Sequence, residues 1–367
     1  MDVITVRGLA RRGLAAIVLL VLGAGCRAHA GGLDWSPSGR LLAFWSDSGL
    51  YAVNTVRGGV IRLSAAGGRG LCSPDGLKVA WSEAGGIYVH RGDTAAGVRV
   101  ADPGRVAGWS PDSKWVLIEA FPPGQAGEIY MAAADGGGVI PLAPHPAPDY
   151  DATWSPDGRW IAFVSEREGP GAAIWVVGWD RSHLTRLTAM ADAGEPAWSP
   201  DGSRLAFTGQ LATGAPRQVF CLDFKTRKLD TLTASADGDC RNPKFVDTGH
   251  LTYVGAQPIL LDVRARKRYR LPDGDLAPGG AWLALLSARP GGLDIVKADG
   301  SGRRAVDKGV EAAAWSPDGR WLAYLALSPG PGRGLVRELR VASLNGTPGR
   351  EGVFPLWSEG IRGNVGD

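Results

Sequence analysis

The stretch Trp154-Ser155-Pro156-Asp157-Gly158-Arg159-Trp160-Ile161-Ala162-Phe163-Val164 decides how this 367-residue chain is read. Its first half has the chemistry of a tight turn: Pro presets φ at the second turn position, Asp suits the third and Gly tolerates positive φ at the fourth. Its second half alternates as a half-buried strand does. The unit recurs at Trp198-Ser199-Pro200-Asp201-Gly202 and Trp315-Ser316-Pro317-Asp318-Gly319, and in looser form from Trp35, Cys72, Trp109, Phe245 and Leu276. Successive first positions lie 37, 37, 45, 44, 47, 31 and 39 residues apart. A four-stranded propeller blade takes roughly 40 to 50 residues.

After each turn strand a third strand follows, as in Gly86-Ile87-Tyr88-Val89 and Glu128-Ile129-Tyr130-Met131, and then a fourth, as in Val60-Ile61-Arg62-Leu63. Even the shortest interval, Phe245 to Leu276, holds four: up to Val246, His250 to Val254, Pro258 to Val263 and Lys267 to Leu271. The 54 Gly and 25 Pro fit a chain of many short strands. A lone four-stranded sheet leaves its apolar faces wet, so each unit needs a neighbour on both sides, and radial closure supplies one to all. The expected fold is all-β, a β-propeller of about eight four-stranded blades over residues 33–356, with seven blades as the alternative. The anchors Trp35, Trp109, Trp154, Trp198 and Trp315 then read as packing between blades, each removing about 150 to 250 Å² from water. A ninth echo, Trp357-Ser358-Glu359-Gly360, begins too close to residue 367 to make a blade and is expected as an added strand or tail over 357–367.

Residues 1–25 read as a signal peptide: Arg7, Arg11 and Arg12 precede an apolar run from Gly13 to Gly25 that is too short to span a bilayer. Leu22-Gly23-Ala24-Gly25-Cys26 resembles the lipobox of bacterial lipoproteins, which implies lipidation at Cys26, with Gly23 departing from the preferred Leu; cleavage near residues 28–30 is the alternative. Residues 26–32 are then a short linker. Without the leader the chain has 37 basic and 36 acidic residues and no basic stripe, which argues against nucleic acid as a partner. Cys221 and Cys240 share one repeat and form a candidate disulfide, whereas Cys72 takes the place of an anchor Trp as a small buried hydrophobe.

With the repeats aligned, Trp-Ser-Pro-Asp-Gly-x-x-(Leu/Ile)-Ala-Phe, then Ile-Tyr-Val, then Arg-Leu-Thr, resembles the TolB-type (WD40-like) propeller repeat. That repeat occurs in periplasmic TolB, in propellers preceding the hydrolase domain of oligopeptidases and in other envelope proteins. The resemblance implies an exported, envelope-located propeller. It does not imply TolB itself, whose smaller propeller follows an additional amino-terminal domain for which residues 26–32 leave no room.

No Gly-x-Ser-x-Gly nucleophile elbow is present; Gly108-Trp109-Ser110-Pro111-Asp112 ends in Asp and lies in a repeat turn. Ser155-Pro156-Asp157-Gly158-Arg159-Trp160 departs from a sialidase Asp box, and the five His occupy unrelated repeat positions. The functional surface is therefore expected at the channel mouth, where the position three residues before each anchor recurs. There, or nearby in register, stand Arg69, Asp149, Asp151, Glu195, Asn242, Asp273 and Glu311. Converging carboxylates are able to hold Ca²⁺ or a basic peptide, and an ordinary solvated rim is the bland alternative. The functional expectation is a monomeric, non-enzymatic protein- or peptide-binding module without a catalytic residue, tethered in the periplasm or at the outer membrane by its lipid. The alternative is a glycan- or peptide-cleaving enzyme using Asp151 and Glu195, which requires carboxyls about 5 to 10 Å apart.

Overall fold

The computed structural model describes residues 32–343, except 47–48, 57, 67, 84, 92–96, 103, 121–125, 170, 272–274, 279, 287–290, 298–300 and 330–334. The segments expected as signal peptide, lipobox and carboxy-terminal tail, with Cys26 and Asp273, lie outside the described residues. The chain divides into two compact units, one drawn from residues 1–79, 91–96 and 274–367, the other from 80–90 and 97–273.

The described secondary structure is thirty strands and one 3₁₀ turn, Ser235–Asp237. The first sheet is β1 (Gly32–Trp35), β2 (Leu41–Ser46), β3 (Gly49–Asn54) and β4 (Val60–Ser64); the second is β5 (Gly70–Cys72), β6 (Lys78–Glu83), β7 (Gly86–Arg91) and β8 (Val98–Ala101). The third is β9 (Arg105–Trp109), β10 (Trp115–Ala120), β11 (Glu128–Ala133) and β12 (Val139–Pro141), and the fourth β13 (Asp149–Trp154), β14 (Trp160–Ser165), β15 (Ala173–Gly178) and β16 (Thr185–Arg186). The fifth is β17 (Asp192–Trp198), β18 (Arg204–Gln210), β19 (Gln218–Asp223) and β20 (Leu229–Thr231), and the sixth β21 (Arg241–Phe245), β22 (His250–Val254), β23 (Pro258–Asp262) and β24 (Lys267–Arg270). The seventh has six strands: β25 (Asp275–Leu276), β26 (Trp282–Leu286), β27 (Gly291–Lys297), β28 (Arg304–Trp315), β29 (Trp321–Pro329) and β30 (Leu335–Ser343). Each sheet runs in chain order, as propeller blades do, and the fold is an all-β propeller.

Seven sheets, not eight, is the finding, and it matches the seven-blade alternative. The last two repeats fuse because β28 pairs with β27 through its first half and with β29 through Val310 to Trp315. Between these halves the sequence offers Gly309 and no Pro; Gly309 takes φ 68° at a register slip, so the strand bends there and does not end.

The repeat turn explains why the strands begin where they do. In the fourth sheet the Ser155 hydroxyl donates to Asp157 Oδ1 at 2.5 Å and accepts from Trp160 N at 2.9 Å, while Gly158 N donates to Ser155 O at 2.9 Å. Gly158 sits at φ 71°, where a Cβ is costly. The same hydroxyl-to-carboxylate bond joins Ser73 to Asp75, Ser110 to Asp112, Ser199 to Asp201 and Ser316 to Asp318.

Cores form between successive sheets. In the second unit Leu117, Ile129 and Met131 pack on Ile161, Phe163 and Trp175, and the other face of that sheet, Val164 and Ile174, packs on Phe207 and Phe220. In the first unit Leu42, Phe44 and Val53 pack on Ala323, Leu325 and Leu339. The anchors Trp35, Trp154, Trp198 and Trp315 lie within or against apolar clusters, and Trp109 is buried, as expected of packing groups. Trp35 Nε1 donates to Ala314 O, beside the last anchor, at 3.2 Å, and Trp315 Nε1 to Asp275 O, in the repeat before it, at 3.0 Å.

Candidate functional site

Asp151, Glu195 and Asn242, three residues ahead of their anchors, share an uncommon backbone state, with φ of 51°, 56° and 51°. At each the inner strand slips register: between Tyr150 and Thr153, Gly194 and Ala197, and Arg241 and Lys244. These are β-bulges, and a bulge leaves backbone groups without a ladder partner. A buried N–H without an acceptor is costly, so another group must take it.

In the second unit, the preceding sheet supplies that acceptor each time. Ser82 Oγ accepts from Val106 N at 3.2 Å, Glu119 Oε1 from Ala152 N at 3.1 Å, and Glu195 Oε2 from Asn242 N at 2.9 Å and from the Thr208 hydroxyl at 2.9 Å. Asp151 accepts from the Glu195 backbone N–H in the same way. The two acids proposed as a catalytic pair are thus joined through backbone, with the carboxylate of the first on the N–H of the second. Burial raises the Asp151 carboxyl above its ordinary range and the Glu119 charge adds to this, while Arg105 pulls it down. Arg105 donates to Glu119 Oε2 and lies 3.9 Å from Asp151 Oδ1. Glu119 is buried, whereas the Arg105 and Asp151 side chains remain 63% and 41% exposed, and Asn242 is exposed as well, so these three face solvent from a fixed backbone.

Asp149 is not a rim residue. Its side chain is 1% exposed and accepts from Arg167 Nη2 at 2.6 Å. Arg167 also donates to Ala143 O at 3.0 Å and to Ser165 Oγ at 2.8 Å, and lies over the Phe163 and Trp175 rings at 5.3 and 5.1 Å. Burial pushes the Asp149 carboxyl up to about 6, with the Ser165 hydroxyl and the Arg167 charge opposing it and Glu128 adding to it. In the first unit Arg69 is exposed just ahead of β5, and Glu311 is half-buried in β28 where its register slips between Val310 and Ala312. Cys72 is buried, and its N–H donates to Asp34 Oδ2 at 2.7 Å. Cys221 and Cys240 are buried in one cluster as free thiols.

Glu119 and Arg105 were not among the expected residues. Their signal is an acid inside the apolar run Trp115-Val116-Leu117-Ile118-Glu119, at a repeat position that holds Ser82, Val164 and Thr208 elsewhere. A buried charge in a strand is rare unless paired. Among the described residues no group of three or more His, Cys, Asp or Glu gathers as metal ligands would.

Residues 71–239, which carry four of these junctions' acceptors, match the family model described as the TolB beta propeller domain. This segment is similar to the TolB-type β-propeller domain. Among solved structures, a TolB protein from Agrobacterium tumefaciens is similar at 26% identity, over 55% of this chain and 79% of its own, with a TM-score of 0.43. A prolyl endopeptidase is similar at 15% identity over 83% of this chain and 53% of that one, with a TM-score of 0.55. Dipeptidyl peptidase 4 from Porphyromonas gingivalis is similar at 12% identity over 85% and 58%, with a TM-score of 0.59. The likeness of the chain to these two peptidases is one of fold. No curated protein matches the chain in sequence.

Proposed function

We propose that this TolB-type propeller is a non-enzymatic binding module of the bacterial envelope, exported by its leader, held there by a lipid on Cys26, and contacting a protein or peptide through the rim of its second unit. The observation that carries this reading is the engagement of Glu119, Asp151 and Glu195 by backbone N–H groups. Carboxylates committed to the backbone are poorly placed to exchange protons with a substrate. They are well placed to hold Arg105, Asp151 and Asn242 as a rigid polar surface, which lowers the entropy cost of binding. The leader and the resemblance to the TolB-type repeat support the location. No cofactor is needed.

The test is photo-crosslinking in the native envelope, with a photoreactive residue at Asn242 and a control at the exposed Lys228, just ahead of the outer strand of the fifth sheet. The expected result is a discrete protein adduct from position 242 that is at least tenfold weaker in the Arg105→Ala/Asp151→Asn background. Adducts of equal pattern from 242 and 228 overturn the rim as the binding surface.

A further inference from the structure

One place in the first unit lacks an aromatic ring that the corresponding place in the second unit has. Phe224 follows β19, and its N–H donates to Ser203 O at 2.9 Å; Thr55 follows β3, and its N–H donates to Arg40 O at 3.0 Å. Leu205 pairs with Leu222 as Leu42 pairs with Val53, so Thr55 takes the position of Phe224 in its own repeat.

The surroundings correspond as well. Phe224 meets two indoles edge to face, the anchor Trp198 of its own repeat at 4.8 Å between ring centroids and Trp160 of the preceding repeat at 5.7 Å. Such pairs add about 0.5 to 1.5 kcal/mol beyond the area they bury. In the first unit the anchor is Trp35, whose Nε1 reaches Ala314 O of the last repeat, and Trp321 follows the anchor Trp315 as Trp160 follows Trp154. Leu339 and Val341 hold the places of Ile174 and Val176. Thr55 brings no ring to this setting. Trp35, Trp321, Leu42, Val53, Leu339 and Val341 instead line a cavity of about 390 Å³ with Thr55 on its wall.

An apolar cavity of about 150 Å³ already takes up benzene, and small-molecule sites span about 300 to 1,000 Å³. The space therefore suits one ring or two fused rings. Asp318 is the one charged residue among the described residues of the wall. The Thr55 hydroxyl spends its proton on Gly39 O at 2.6 Å, so toward a ligand both it and Asp318 act as acceptors. A ligand that brings an N–H or O–H is matched, and one that brings a carboxylate is repelled and loses its hydration.

We infer that this cavity is a binding site for a small uncharged aromatic molecule with an N–H or O–H donor, whose ring takes the place that Phe224 fills in the fifth sheet. The site lies in the first unit and does not depend on the rim proposed above.

Equilibrium dialysis of indole against the full chain tests this, with Thr55→Phe and Phe224→Thr beside the native chain. The native chain is expected to take up one indole saturably. Thr55→Phe should bind it roughly tenfold more weakly or worse, without a lower urea midpoint, because the substitution supplies the ring that this repeat lacks. Phe224→Thr should open a matching space between Trp160 and Trp198 and take up a second indole. Indole-3-acetate, the same ring with a carboxylate, should bind more weakly than indole. Absence of saturable uptake by the native chain overturns the inference. Equal uptake by the native and Thr55→Phe chains does so too, since it puts the indole elsewhere. Where Thr55→Phe fails to fold, Phe224→Thr decides: a folded chain that takes up no more indole than the native one overturns the equivalence on which the site rests.

Discussion

Asp149 offers a quantitative test of how the interior of the fourth sheet is built. Its carboxyl is held at about 6 against an ordinary 3.8 because it is buried, although Arg167 donates to it at 2.6 Å. An acid whose value rises on folding contributes stability that is complete below its unfolded value and is lost as pH rises through its folded value. For Asp149 that window runs from about pH 4 to above pH 6, and at about 1.4 kcal/mol per pH unit the loss is about 2 kcal/mol between pH 4 and pH 7. Asp149→Asn removes the titration. The stability of the native chain minus that of the variant, from urea unfolding followed by Trp fluorescence, should therefore fall by about 2 kcal/mol across that range. Arg167→Met should cost about 3 to 5 kcal/mol at pH 7, because it leaves the Asp149 charge buried without its partner, and should recover part of that loss on acidification. A difference between the native chain and Asp149→Asn that stays flat from pH 4 to pH 7 refutes the reasoning.

Two further substitutions probe the junctions and the turns. Glu119→Ala strands the buried Ala152 N–H and should cost about 1 to 3 kcal/mol, whereas Glu119→Gln keeps an acceptor and should lose less than half as much; equal urea midpoints for the two variants refute a capping role. Asp201→Ala removes the partner of the Ser199 hydroxyl and should cost about 1 kcal/mol at pH 7. That hydroxyl, more than any other group, holds the Asp201 carboxyl below its ordinary value, so the contribution is present above about pH 4 and fades as pH falls below it; a stability difference between the native chain and Asp201→Ala that grows on acidification contradicts this.

The sheets were legible because turn chemistry is local: Ser, Pro, Asp and Gly at fixed offsets announce the same bonds wherever they occur, and the four strands read between Phe245 and Leu271 are β21 to β24. The fusion of the last repeats was harder to read, since it depends on the lack of a break between Arg304 and Trp315 and not on a motif. For the site, the recurrence three residues before each anchor singled out Asp151, Glu195 and Asn242 as channel-mouth positions, and the β-bulges they form were not foreseen. What those acids do was hidden, because their partners are backbone N–H groups some forty residues onward, which every sequence has. Asp149 lies only two residues from Asp151, and strand alternation alone does not tell which of two acids on one strand finds a buried Arg such as Arg167.

The bridging acceptors of the second unit also impose a direction. Ser82, Glu119, Asp151 and Glu195 each reach forward to the repeat that follows, so every junction is written half in one repeat and half in the next. A repeat cut out and spliced elsewhere would carry an acceptor fitted to its old successor and a bulge fitted to its old predecessor. Blades of this kind are not interchangeable parts, and any lengthening or shuffling of the array by duplication has to move both halves of a junction together.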